Sequence, residues 1–384
     1  MKVLVERPVS QFSMDNHLRH CSTMGKAHNL GLDLGHRSPK LPKIVRVASL
    51  RNRNSSFHES SEIPKENCTR SGWLKDSTAP ETQDFGSEFV ISFADIQKNY
   101  TWLYLPEIEE ASQEKDILMI VASRTDSYAR RNIMRQTWMN KSDSEIVANG
   151  RMKPLFLVGL TPGDYKMKKM VMQEAKLYGD IIVVDMNDTY EELTYKSLAI
   201  LLYGVSKAPR YQMIGKIDED VIFFPDKLTA LYEQGIIDAT PLCAYGYKIQ
   251  AGARIFRDKN DRWYVPESSY SCSKFPEYVS GMLYMVTWEA AQQIIKSTKY
   301  RDFIQVEDVF LTGILAEDLG ISVRNLPKFY KYPNDIDESK SVDIIAWHND
   351  QKDIQYLNFF KKGLARYQNE KAGIAAMTTT SAQN

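Results

Sequence analysis

Long apolar runs are missing from this chain. No stretch approaches the roughly 18–20 apolar residues that a membrane-spanning helix requires. The opening MKVLVERPVSQFSMDNHLRH breaks its apolar start with Glu6, Arg7 and Pro8, so it lacks the hydrophobic segment of a signal peptide. Read literally, the sequence is that of a soluble protein without an address. Net charge is missing as well. Lys and Arg number 49, as do Asp and Glu, which argues against nucleic acid and against broad attraction to an anionic membrane while leaving room for a local basic pocket. Cysteine is scarce: Cys21, Cys68, Cys243 and Cys272 show no C-x-x-C spacing, which disfavours zinc and dithiol sites. Cys243 and Cys272 share one loop-rich region and suit either a disulfide in an oxidising compartment or two buried free thiols.

Several nucleotide and nucleophile motifs are also absent. There is no G-x-x-x-x-G-K-[ST], which disfavours a P-loop NTPase. No G-x-G-x-x-G follows the first strand-like segment, which disfavours a dinucleotide-binding dehydrogenase. The G-x-S-x-G nucleophile elbow is lacking. N-x-S/T triplets at Asn54, Asn67, Asn99, Asn140 and Asn187 only mildly favour a secretory route.

What is present is a core. Hydrophobic residues make up 43% of the 384 and aromatics 11%, enough for one large domain or two ordinary ones. Residues 1–85 are polar, rich in Ser, Asn, Arg, Lys and Pro, and read as disordered or stem-like. Residues 86–370 read as a single domain and 371–384 as a flexible tail. Within the domain, Asp116–Ser123, residues 155–160, 180–185 and 211–218 are short apolar runs with the look of buried strands. Helical patterns separate them at 126–139, where Ile133, Met134 and Trp138 share a face, in a Lys/Met-rich stretch ending near Tyr178, and at 190–206. Strand and helix alternating in this way predict an α/β fold, a mainly parallel sheet covered on both faces. Ligands of such sheets bind at the carboxyl ends of the strands.

The acids of KIDEDVIFF (216–224) sit at such an end, after the fourth strand. Asp218 and Asp220 alternate on an extended segment and would converge on one hard cation, Mg²⁺ or Mn²⁺, able to bridge to a phosphate-bearing ligand. A solvated acidic turn is the plain alternative. Glu307 and Asp308 begin a helical pattern, either as complements to the helix dipole or as a general base at the mouth of the same cleft. Arg131 and Arg135, four apart beyond the first strand, share a helix face and could grip a phosphate; a basic surface turn with Arg130 is the alternative. His348 is either a cation ligand or an ordinary polar residue on the surface. A D-x-D phosphohydrolase is a further reading, although its nucleophile would stand near the start of the fold rather than after four strands.

Taken together, five segments resemble the β1,3-galactosyltransferase family, which includes β1,3-N-acetylglucosaminyltransferases and is related to Fringe. They are RRNIMRQTW (130–138), GDIIVVDMNDTYEELTYKSL (179–198), KIDEDVIF (216–223), FPEYVSGMLYMVT (275–287) and VEDVFLTGILAEDLGI (306–321). The resemblance covers about residues 115–325. It implies a GT-A fold and an inverting hexosyltransferase. Such an enzyme moves galactose or an N-acetylhexosamine from a UDP-sugar to a hydroxyl of a glycan, glycoprotein or glycolipid, usually with Mn²⁺. It also implies a Golgi membrane location, through an N-terminal anchor not visible here: either a first segment is missing or the protein is soluble. Carried over by position, Asp220 and His348 become metal ligands. Arg131, Arg135, Lys216, Asp218 and Glu219 lie near the nucleotide, and Asp308, beside Glu307, is the catalytic base. Glu219, Val279, Met282 and Leu283 depart from the family pattern. Val279, Met282 and Leu283 leave open a reshaped donor or acceptor pocket, or an inactive sugar-binding or scaffolding relative.

Overall fold

Along the first long strand, side chains alternate between two cores. Leu118 and Ile120 enter one hydrophobic cluster, whereas Ile117, Met119 and Val121 enter the other, as a sheet buried on both faces demands. The computed structural model describes residues 74, 76–108, 115–336, 343–349 and 352–381. Most of the segment read as a stem, residues 1–85, lies outside these. The chain first forms β1 (Gln83–Asp84), β2 (Glu88–Ser92) and β3 (Gln97–Tyr104). Next come β4 (Lys115–Ser123), α1 (Tyr128–Arg135), α2 (Glu145–Ala148), β5 (Met152–Gly159), α3 (Tyr165–Tyr178), β6 (Ile181–Val184) and α4 (Leu193–Lys207). β7 (Tyr211–Asp218), β8 (Val221–Phe223), α5 (Leu228–Glu233), β9 (Cys243–Ile249), β10 (Tyr278–Thr287) and α6 (Trp288–Ser297) follow. The last part holds α7 (Glu307–Val309), a π-helical turn (Phe310–Ile314), α8 (Leu315–Leu319), β11 (Ser322–Asn325), β12 (Phe329–Tyr330), β13 (Ala346–His348) and α9 (Asp353–Ser381).

The large sheet has the order β1-β2-β3-β6-β5-β4-β7-β10-β9-β11. Its centre, β6-β5-β4-β7, is parallel, and antiparallel strands flank it on both sides. The protein is thus α/β with a mostly parallel central sheet, and the four strands expected from the sequence are its middle. The expectation for 126–139 shortens to α1, after which Met134 and Trp138 still enter one cluster. The hairpin of β2 and β3 was not legible as an element of the fold. It pairs Phe89 with Tyr100 and joins the sheet through β6. α9 runs on to Ser381, through the segment read as a tail.

α4, α6 and the turns around Phe310 pack on one face of the sheet; α1, β8, β13 and the start of α9 pack on the other. Of the two readings of Cys243 and Cys272, the disulfide does not form. Both are buried free thiols, and they belong to different cores, Cys243 to the second and Cys272 to the first. Met282 and Leu283 are 2% and 0% exposed within the second core, so these departures act on packing rather than on a pocket wall. Among the described residues no helix is long and apolar enough to cross a membrane.

The carboxyl edge of the parallel strands is drawn tight. Ala122 of β4 stands opposite Asp218 of β7, and Ser123 opposite Val158 of β5. The Thr125 hydroxyl donates to the Gly159 carbonyl at 2.6 Å. A Cβ on Gly159 would lie 2.8 Å from the Met186 carbonyl oxygen, a backbone atom that cannot swing aside. Gly159→Ala should therefore destabilise the protein by about 1–3 kcal/mol, read as a lower thermal midpoint, with unchanged far-UV circular dichroism.

Candidate active site

The alternation of β7 sends Lys216 and Asp218 to the same side. Lys216 is fully buried. Its Nζ lies 2.6 Å from Asp218 Oδ1 and 3.6 Å from Glu307 Oε2, and it donates to the Gly281 carbonyl at 2.7 Å. Burial opposes the charge on this ammonium, but Asp218 and Glu307 outweigh it and hold the lysine above its ordinary range. Burial lifts the Asp218 carboxyl, Lys216 opposes the rise and Asp220 adds to it. With 32% of the side chain still open to solvent, that rise is tempered. Glu307 is 3% exposed, and its Oε1 accepts the Tyr284 hydroxyl at 2.5 Å. Burial pushes its carboxyl up, while Lys216 pulls it down. An acid so enclosed has little access to a ligand; it pairs with Lys216 and Tyr284.

That next residue, Asp308, is half-buried at the start of α7. Its Oδ2 accepts the Gly281 N–H at 2.8 Å and its Oδ1 accepts its neighbour Val309 N–H at 2.8 Å. Gly281 permits this approach, since a Cβ there would stand 3.2 Å from Glu307 Oε2 and 3.3 Å from Asp308 Cβ. The π-helical turn immediately beyond widens the helix where the two acids leave it.

Asp220 comes from the turn between β7 and β8. Antiparallel pairing of β8 with β13 sets Val221 opposite His348, which brings His348 Nε2 to 3.3 Å from Asp220 Oδ2. His348 Nδ1 lies 3.2 Å from the Lys331 carbonyl, which anchors the ring with Nε2 turned to Asp220. The hydrogen bond to Asp220 raises the His348 pKa. Burial works against the Asp220 charge, but His348 more than offsets it and the carboxyl is lowered. Among the described residues the other oxygen, Asp220 Oδ1, is buried without a hydrogen-bond partner, an acceptor of the kind a cation would satisfy. Among the described residues, no group of three or more His, Cys, Asp and Glu is arranged to hold a metal ion. Asp220 and His348 therefore fit a divalent cation as two ligands of a shell that a phosphate-bearing ligand would have to complete.

Three expected nucleotide contacts go elsewhere. Arg131 is 1% exposed and grips Glu174 through both oxygens, at 2.9 and 2.7 Å; it also donates to the Arg124 carbonyl and the Ser123 hydroxyl. Arg135 holds Asp180 at 2.7 and 2.8 Å and Glu174 at 2.9 Å. Both guanidinium groups are spent on acids inside the protein. Glu219 accepts from the Ser123 and Ser127 hydroxyls at 2.9 and 2.7 Å and from the Arg124 N–H at 3.1 Å. Its longer side chain braces the loop after β4 instead of facing a ligand.

Two further residues complete the edge and were not singled out from the sequence. Lys196 of α4 donates to the Ser123 carbonyl at 2.6 Å and pairs with Asp188 at 2.8 Å; Asp188 in turn accepts the Thr125 N–H and hydroxyl. Both lie in the 179–198 segment, where their signal was the pairing of a lysine with an acid eight residues earlier.

This geometry can be set beside known proteins. Residues 129–327 match the galactosyltransferase family model. The chain is 45% identical over 297 residues to "Beta-1,3-galactosyltransferase bre-2" of Caenorhabditis elegans, covering 77% of this chain and 82% of that protein. It is 28% identical over 237 residues to "Lactosylceramide 1,3-N-acetyl-beta-D-glucosaminyltransferase" of Mus musculus, covering 60% and 62%. Among solved structures it is similar to the apo form of the bifunctional glycosyltransferase WbbM, at 10% identity and a TM-score of 0.35, over 68% of this chain and 51% of that one. The protein is a glycosyltransferase. More narrowly, the chain belongs to the galactosyltransferase family.

Two outcomes follow from the buried charges. Lys216→Met would leave Glu307 and Asp218 without their counter-ion, and should cost about 3 kcal/mol in denaturant unfolding, the low end for a broken buried pair because Asp218 keeps some solvent. For His348, the folded pKa is raised, so its pairing with Asp220 stabilises fully below the unfolded value near 6.5 and is lost as pH climbs through the raised value. In chelator-treated protein, His348→Gln should lower the thermal midpoint more at pH 5.5 than at pH 8.5; an equal loss at both would refute the pairing.

Proposed function

We propose that this glycosyltransferase is an inverting hexosyltransferase. It moves galactose or an N-acetylhexosamine from a UDP-sugar to a hydroxyl of a glycan acceptor, forming a β1,3 linkage. The linkage and the acceptor class are carried over from the names of its relatives, and the placement in the Golgi rests on the family resemblance. The observation that carries the reading is the pairing of two acids around one buried cation. Lys216 ties Asp218 on one side and Glu307 on the other, so the residues next to Asp220 and Asp308 in the chain share one buried ammonium.

Asp220 and His348 would hold Mn²⁺ or another divalent cation, with the donor diphosphate completing its shell. A bound cation there stabilises negative charge on the departing UDP. Asp308, oriented by the Gly281 N–H, takes the proton of the acceptor hydroxyl as its oxygen forms a bond to the anomeric carbon. The bond from that carbon to the UDP oxygen breaks, and the electron pair leaves with UDP. Attack from the face opposite the leaving group inverts the anomeric centre in one displacement, the logic of inverting glycosidases with a sugar hydroxyl in place of water.

The direct test is UDP release over a panel of UDP-sugars with Mn²⁺ and saccharide acceptors. Asp308→Asn should reduce kcat by about 10²–10⁴-fold with little change in donor KM, the scale of a lost general base, and Asp220→Ala should abolish the dependence on Mn²⁺. Turnover that neither substitution disturbs would sink the assignment.

A further inference from the structure

The loop between β9 and β10 is long and aromatic, and it is built rather than loose. Arg257 donates to the carbonyls of Val265, Tyr270 and Cys272 at 2.8, 2.6 and 2.9 Å. The backbone N–H of Val265 bonds the Phe256 carbonyl, and that of Phe275 the Ala253 carbonyl. On this frame Trp263 remains 39% exposed, with Phe256 behind it at 5.4 Å between ring centroids. The indole thus packs on one side against Phe256 and Arg262 and keeps part of its surface open to solvent.

Contacts tie that loop to the segment just ahead of Asp308 and to the turn before α4. Gln305 Nε2 donates to the Arg262 carbonyl at 3.1 Å, three residues before Asp308. The Arg262 guanidinium lies 4.6 Å from the Tyr190 ring centroid and 4.8 Å from that of Trp263. Burial lifts the Tyr190 phenol, Arg262 opposes the rise and Asp308 adds to it. Tyr190 precedes α4 by way of the turn Tyr190–Glu192, so a second element supports the same wall. Tyr278 at the start of β10 also feels the Asp308 charge.

We propose that Trp263 is the acceptor platform of the enzyme: the apolar face of the acceptor's terminal sugar ring packs on the exposed indole, and Arg262 and Tyr190 hold that surface at the distance that brings the attacking hydroxyl to Asp308. A pyranose offers one face of C–H bonds and a rim of hydroxyls, which an aromatic surface bordered by hydrogen-bond donors matches. The chemistry selects a saccharide acceptor over a peptide hydroxyl, since serine and threonine have no such face. This inference rests on the proposed function, but it names residues that no donor contact requires.

The experiment compares wild type with Trp263→Ala and Trp263→Phe in transfer to benzyl β-glycosides of galactose, N-acetylglucosamine and N-acetylgalactosamine. Trp263→Ala should raise the acceptor KM roughly tenfold, with the UDP-sugar KM within twofold, and Trp263→Phe should recover part of the loss. An unchanged acceptor KM in Trp263→Ala overturns the platform while leaving the transferase reading intact. A parallel rise in both KM values overturns it too, by pointing to a collapsed site. Wild type that releases no UDP from any donor refutes the function itself and the platform with it.

Discussion

One ammonium group sets the architecture of the site. Lys216 has no access to water and three oxygen partners, from β7, from β10 and from α7. Each partner brings a different piece of the machinery: Asp218 belongs to the turn that presents Asp220, Gly281 orients Asp308 through its N–H, and Glu307 is the residue before that acid. A lysine buried without acids would shed its proton, and acids buried without the lysine would take one up. Held together, the lysine keeps its charge although burial still lifts both carboxyls, and the mutual requirement fixes the spacing of elements distant in sequence.

The same logic governs the loop after β4. Arg131, Arg135 and Glu174 form a second enclosed cluster, and Glu219 and Asp188 each take several donors from residues 123–127. The acids of the 218–220 turn thus have three fates. Asp218 is neutralised from within by Lys216, Glu219 is absorbed by the loop, and Asp220 keeps one oxygen with no partner. The last keeps an oxygen open to an ion, and it is the one that His348 approaches through β13. Positive charge near the catalytic edge is therefore largely internal, and the arginines that resemble phosphate ligands in sequence are structural ions.

Much of the frame was legible along the chain because parallel strands buried on both faces read as short apolar runs. Asp116–Ser123 and Tyr211–Asp218 needed only that pattern and its alternation with helices. The β2–β3 hairpin was harder, since its strands are flanked by polar residues and its burial comes from Phe89, Tyr100 and Trp102 meeting across the pair. The cysteines of one loop-rich region suggested a bond, yet a sheet lies between the cores they join, a separation that sequence distance does not carry.

Sequence alone determined which residues could carry charge chemistry and at which strand end they would gather, because side-chain type and strand periodicity are local properties. It could not decide which charges would be spent on one another. That depends on the approach of residues far apart, Lys216 to Glu307, Asp220 to His348 and Arg131 to Glu174, and on which of them water still reaches. Tertiary structure alone made Lys216 a counter-ion, Glu219 a brace and Trp263 a partly exposed surface. Burial and distance, which decide whether an ion pair forms or a ligand is bound, exist only once the sheet has brought its strands together.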